Sequence, residues 1–341
     1  MTTGTGALAK KCILQVAQSW PISDAILRDD GNKRHAIKAG LCAWGLRMSG
    51  KSVAPTPVPP TPWKPSDLPT LRAAYSDRTA ALMAYLAAFA YDTRIQAKGV
   101  LQVPQELSAL GFNKLTSFHN GMADGWAYIA EGTDLIALAF RGTSSTKNWD
   151  TDFQVALVHP ENTDRQLRVH KGFYQAFVRL NEGTLGIKEK LDAVKEATKG
   201  AVPIYITGHS LGGALAQIAG AVLGSDQVAA CYTFGVPRVG NSYFDLWVKV
   251  PSYRVMNYAD IVPQVPLPIV YRHSGDPRYM PDHMTPSPYR FEPNLLERAW
   301  QTIRGLVQFV RAGSILGIQD HAIAAYCEKL NAIAEARDQS R

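Results

Sequence analysis

The feature that most constrains this chain is AVPIYITGHS running straight into LGGALAQIAGAVLG, residues 201–224. A short apolar run enters a turn, and a helix of small residues leaves it. The turn itself reads Gly208-His209-Ser210-Leu211-Gly212, a G-x-S-x-G sequence. A strand that passes into a helix through so sharp an elbow forces unusual backbone at the serine, and small flanking residues make room for it. Held exposed at such a turn, a serine hydroxyl becomes a nucleophile once a base removes its proton. The N-terminal N–H groups of the following helix then point at the oxygen that gains charge. An incidental serine in a glycine-rich turn is the plainer alternative, and the strand before and helix after argue against it.

Other segments repeat the alternation of strand and helix. The stretch SDRTAALMAYLAAFAYD, residues 76–92, has a serine cap and dense apolar spacing and predicts a packed helix. WAYIAE and LIALAF, around Gly-Thr-Asp, predict an antiparallel hairpin at the edge of a sheet. A helical region is expected over residues 172–199, strands at VAACYTFG and YRVMNY with a short helix at residues 244–248 between them, and a helix in DHAIAAYCEKLNAIAEA. This pattern predicts an α/β fold with a mostly parallel central sheet flanked by helices. Wholly apolar strands such as PIYIT fit burial on both faces.

A proline-rich run, APTPVPPTPWKPSDLP, divides the chain and reads as a stiff, extended linker. Three regions follow: a basic N-terminal extension over residues 1–53, the linker over 54–69, and the catalytic-type domain over 70–341. The extension holds eight basic and three acidic side chains, so most of the net charge of +7 lies there. Such a segment can approach an anionic membrane surface. It lacks interleaved aromatics and any nucleic-acid motif, so nucleic acid is not an expected partner. With 46% hydrophobic and 19% charged residues, disorder as a class is excluded. No apolar run reaches the roughly 18 residues of a membrane span. The first residues, CILQVAQSW after Lys10 and Lys11, are broken by glutamines and do not read as a secretory signal. A cytoplasmic chain, or one exported by a signal-independent route, is the expectation. Four cysteines far apart, Cys12, Cys42, Cys231 and Cys327, show no metal or redox spacing. Cys231 and Cys327 are expected to be buried thiols, and a Cys12–Cys42 pair is not favoured. No metal and no organic cofactor is expected.

In folds with this elbow the chain order is serine, then an acid, then histidine. Asp260 follows YRVMNY at the edge where the serine also sits. Of the histidines beyond it, His321 begins the last helix after a loop containing Gly313 and Gly317, whereas His273 and His283 fall in a proline-rich loop. Asp320 adjoins His321, but neighbouring side chains diverge, which disfavours it as the orienting acid. The N–H of Leu211 is one oxyanion donor. A second should come from Arg141-Gly142-Thr143 after LIALAF, where Thr143 offers both an N–H and a hydroxyl.

Taken in order, AFRGTSS, NWDTD, VHKGFYQAF, ITGHSLGGALA, TFGVPRVGN, YRVMNYADIVPQVP and DHAIAAY resemble the class 3 (fungal-type) lipases. That family also includes feruloyl esterases and some phospholipases A1, and the resemblance runs from about Ala81 to Leu330. It implies an α/β-hydrolase fold, a triad of Ser210, Asp260 and His321, and oxyanion-hole positions at Thr143 and Leu211. It also implies a helical lid over residues 145–153. That segment, STKNWDTDF, carries Lys147, Asp150 and Asp152 beside Trp149 and Phe153, so it gains little from lipid contact. Weak interfacial activation and a preference for short or medium acyl chains are expected. The resemblance implies a serine carboxylic-ester hydrolase whose partner is a lipid or small ester, met in solution or at a lipid–water interface. Phospholipase A1 or feruloyl-type esterase activity is the alternative within the class. A non-catalytic binding protein on the same fold is the alternative outside it.

Overall fold

Strand residues that alternate between large and small side chains set the architecture. In β4 (Ile136–Phe140), Ile136, Leu138 and Phe140 join one apolar cluster while Ala137 and Ala139 join another on the opposite face. The same division runs through β7 (Ile204–His209), where Ile204 and Ile206 face one side and Tyr205 the other. Side chains of successive strand residues point to opposite faces, so a sheet of such strands must be covered twice.

The computed structural model describes residues 60–71, 73–119, 125–143, 156–182, 186–224, 228–258, 260, 262–266, 268–280 and 320–339. The basic extension with Cys12 and Cys42, linker residues 54–59, the lid segment 145–153, His283, Gly313 and Gly317 all lie outside them.

The remaining strands are β1 (Gly99–Leu101), β2 (Phe112–His119), β3 (Trp126–Gly132), β8 (Val228–Phe234), β9 (Ser252–Asn257) and β10 (Asp276–Met280). With β4 and β7 they form one eight-stranded sheet in the order β1-β2-β3-β4-β7-β8-β9-β10. Pairing is parallel from β4 through β10 and antiparallel from β1 to β4. The hairpin expected at residues 126–140 is present as β3 and β4, but it lies inside the sheet rather than at its edge, because β1 and β2 add beyond it. A separate two-stranded ladder joins β5 (Leu157–Val158) to β6 (Val169–His170).

One face is covered by α1 (Asp77–Phe89) and α7 (Ile323–Gln339). Ser76 caps α1 through Thr79 N–H, and five of its buried residues are alanines, which lets its backbone approach the sheet closely. Thr207 of β7 donates to the Met83 carbonyl at 2.9 Å, and Tyr128 of β3 to the Leu86 carbonyl at 2.7 Å. A five-residue helix, α2 (Gln105–Ala109), precedes β2. The other face carries α3 (Lys171–Leu180), α4 (Ile187–Ala197), α5 (Leu211–Leu223) and α6 (Ser242–Trp247). The region expected to be helical over 172–199 is thus two helices. Leu68 is buried against the α1 and α7 face, where Trp63 packs beside it. Cys231 and Cys327 are free and buried, and burial raises each thiol to about 12. Among the described residues no helix is long and apolar enough to cross a membrane.

In a sheet of this kind the loops at the carboxyl ends of the parallel strands share one rim. Residues 141–143, 210, 235, 258 and 260 follow β4, β7, β8 and β9 and so gather there.

Candidate active site

Ser210 sits between β7 and α5 at φ 58° and ψ −128°, a left-handed backbone that a residue with a side chain adopts only when its surroundings impose it. They do so from three sides. The Ser210 N–H donates to the Phe234 carbonyl of β8 at 2.9 Å, and its own carbonyl accepts from Gly213 and Ala214 in the first turn of α5. A methyl group at Gly212 would fall onto the carbonyl oxygen of Phe140, so the helix start lies directly against the end of β4. A methyl at Gly142 would come within 2.6 Å of the His209 carbonyl and 3.2 Å of the Ser210 Cβ. The loop that carries Thr143 therefore passes against the elbow itself. Leu211 begins α5, where the first N–H groups of a helix have no partner within it.

Asp260 is fully buried at its side chain and lies 2.8 Å from Nδ1 of His321, measured from Oδ2. It is held on both oxygens. Oδ1 accepts from the Val262 N–H at 2.9 Å, and Oδ2 also accepts from the Tyr326 hydroxyl at 2.6 Å. The Tyr326 hydroxyl in turn accepts from the Asn257 N–H at 3.0 Å. Burial, and the neighbouring Asp260, push the Tyr326 phenol well above its ordinary value, so it remains a donor. A Cβ at Gly235 would sit 2.6 Å from Asp260 Oδ2 and 2.9 Å from His321 Nδ1, and Gly235 has φ +57°. Both the approach and the conformation require glycine there.

The rim thus brings together Ser210, Leu211, the loop of Thr143, Asp260 and His321. His273 is elsewhere engaged, its Nε2 donating to the Pro263 carbonyl at 2.8 Å. The Asp320 carbonyl accepts from Asn257 Nδ2 at 2.9 Å, while the carboxylate on His321 comes from Asp260. Sequence reasoning passed over Tyr326, Asn257, Gly235, Tyr91 and His209. His209 stood in the elbow pattern as its unspecified residue, and Gly235, Asn257 and Tyr326 stood inside the quoted segments TFGVPRVGN, YRVMNYADIVPQVP and DHAIAAY, but none was given a role. A surface cavity of about 370 Å³, lined by residues that include Asp245, His273 and Asp276, opens beside the starts of β9 and β10 and touches none of the gathered residues. Among the described residues no cluster of histidine, cysteine and carboxylate side chains could hold a metal ion.

The sequence model of the family described as lipase (class 3) matches residues 137–269, from β4 through the Asp260 loop. Over this segment the chain is similar to the class 3 lipases. A secreted mono- and diacylglycerol lipase of Fusarium solani is 37% identical over 153 residues, covering 43% of this chain and 44% of that protein. A lipase of Rhizomucor miehei is 31% identical over 170 residues, covering 46% and 45%. The matched segment spans less than half the length of these relatives. Among solved structures, a triacylglycerol lipase described as having a serine protease triad for its catalytic centre is 26% identical, with a TM-score of 0.53. It covers 62% of this chain and 83% of its own. A lipase of Rhizopus microsporus var. chinensis is 25% identical with a TM-score of 0.54, covering 71% and 87%. The chain therefore has an α/β-hydrolase fold, in keeping with its mostly parallel sheet and flanking helices.

Proposed function

We propose that this chain is a serine carboxylic-ester hydrolase of the lipase type, with Ser210 as nucleophile, His321 as base and Asp260 as the orienting acid. The observation that carries the reading is the Asp260–His321 pair at 2.8 Å beside a serine held at positive φ on a strand-to-helix elbow. In the reaction His321 takes the Ser210 hydroxyl proton as Oγ attacks the ester carbonyl carbon. The carbonyl π electrons move to oxygen, and the N–H groups of Leu211 and Thr143 stabilise that oxyanion. Collapse expels the alkoxide, which takes the proton back from His321 and leaves as an alcohol. Water, deprotonated by His321, then attacks the acyl-enzyme and releases the carboxylic acid and Ser210. Asp260 stays ionised throughout, fixing the imidazole with Nδ1–H toward itself and stabilising the imidazolium. No metal or organic cofactor takes part. The substrate class is an acylglycerol or other short-to-medium acyl ester, in keeping with the lipase names of the relatives.

Hydrolysis of p-nitrophenyl esters from short to long acyl chains, with Ser210→Ala alongside, tests this. The wild-type chain should hydrolyse the shorter esters, and Ser210→Ala should lose on the order of 10⁶ in kcat. An inactive wild type that also resists a serine-directed phosphonate would overturn the reading. The chain-length optimum separates esterase from lipase, and equal rates on a phospholipid or a feruloyl ester would move the substrate class accordingly.

A further inference from the structure

His209 has no part in the reaction just given, yet it is wholly engaged. Its Nε2 lies 2.7 Å from the main-chain carbonyl of His321, and its Nδ1 lies 2.9 Å from the Tyr91 hydroxyl. A carbonyl only accepts, so Nε2 carries the proton. A neutral imidazole then offers Nδ1 as an acceptor, and the Tyr91 hydroxyl donates to it. Both hydrogen bonds select one tautomer. The ring also lies under that of His321, with centroids 4.4 Å apart and planes tilted by 35°. Burial, with the nearby His321, pulls the His209 value well below that of an ordinary imidazole, so the ring stays neutral and does not repel a cation forming on His321.

We propose that His209, backed by Tyr91, is a positioning residue that fixes the main chain at His321, an inference that rests on His321 being the base. The base needs such a hold. His321 enters the rim just ahead of α7, whereas Ser210 is fixed on either side by β7 and α5. Asp260 orients the imidazole from one side, and Asn257 holds the preceding carbonyl at Asp320. His209 ties the residue itself to the elbow, so nucleophile and base share one reference point a single peptide apart. Tyr91 reaches the same place from the chain beyond α1, beside the Gly142 position. The oxyanion loop, the elbow and the base segment are thereby joined through one imidazole.

The test is a mutant cycle on the full chain, reading kcat and KM on a short-chain p-nitrophenyl ester together with the urea midpoint. His209→Leu removes the donor and should lower kcat about 100-fold, the cost of a base displaced by about 1 Å. KM should change by less than about 2-fold, because ground-state binding is not touched. His209→Gln places an amide N–H near the Nε2 position and should recover most of the loss. Tyr91→Phe removes the hydrogen bond to Nδ1 and loosens the ring, and should cost about 5-fold, the value of one hydrogen bond. In a His321→Ala background, His209→Leu should change the residual rate by less than about 2-fold. An equal loss in both backgrounds, or an unaltered kcat in His209→Leu, overturns the proposal. If His209→Leu fails to fold, Tyr91→Phe carries the same cycle. A His321→Ala chain as active as the wild type would instead overturn the assignment of the base, which the cycle reads separately.

Discussion

The two halves of the proposed site are held in place by different means. The nucleophile side is positioned by main chain. Ser210 is fixed by the ladder partner of β7, by the first turn of α5, and by glycines that let strand, loop and helix touch. The base side is positioned by side chains. Asp260, Tyr326, Asn257 and His209 come from four separate places and hold His321 through hydrogen bonds. A backbone device is compact and lies in consecutive residues. A side-chain device is distributed, and each part can be removed singly without deleting the rest. The first should fail by unfolding or distortion, and the second by graded loss of rate.

Asp260→Asn is the sharpest way to break the second half. The amide keeps the shape and one acceptor, but its NH₂ group meets donors where the carboxylate met them. It also holds His321 in the wrong tautomer. A loss in kcat of about 10³–10⁴-fold is expected, with KM little altered. Loss confined to kcat, with a circular dichroism spectrum like the wild type's, fits a side-chain-held base. A fall under about 10-fold would remove Asp260 from the proposed role. Gly212→Ala is the corresponding blow to the first half. The added methyl meets the main chain at Phe140 and Arg141 rather than a flexible side chain, so strand or helix must move. The expected cost is about 3 kcal/mol in urea unfolding, accompanied by loss of activity. A stable Gly212→Ala chain with full activity would show that the elbow is less tightly built than its contacts require.

The same contrast explains how much was legible in the sequence. The elbow was visible because G-x-S-x-G, the strand before it and the small-residue helix after it are contiguous. β4, β7, β8 and β9 were visible because apolar runs bounded by turns mark them. By contrast, β10 contains Pro277, which argues for a strand only at an edge, and an edge is where it lies. β2 reads FNKLTSFH with buried residues in succession at 115–118, so no clean alternation reveals it. β1 has only three residues. Missing these two placed the β3–β4 hairpin at the border of the sheet instead of its interior. The chain order of serine, acid and histidine pointed to Asp260 and His321. Tyr326 and Tyr91 lay inside quoted segments, but nothing local gave either a role, because their partners lie 66 and 118 residues away in the chain. Their roles come from topology, which brings the start of α7 and the end of α1 to the same imidazole.

The smallest effect sharpens the comparison by pH. His209 is buried among Tyr91, His321, Tyr326 and, beyond them, Asp260, and its folded-state value is depressed chiefly by desolvation. The unfolded chain takes up its proton near the ordinary imidazole value of about 6.5, while the folded chain does not until lower pH. Below about 6.5 the unfolded state therefore binds more protons, and stability falls as pH falls. One such group contributes a slope of about 1.4 kcal/mol per pH unit, beginning near 6.5 and continuing down to the depressed folded value. His209→Gln cannot take up that proton, so its urea midpoint should decline less steeply between pH 6.5 and 5.5 than that of the wild type. The elbow contains no other titrating side chain, so Gly212→Ala should shift the whole curve without changing its slope. Parallel curves for wild type and His209→Gln would mean that His209 titrates alike in both states. The neutral, tautomer-selected imidazole between elbow and base would then be the wrong picture of this site.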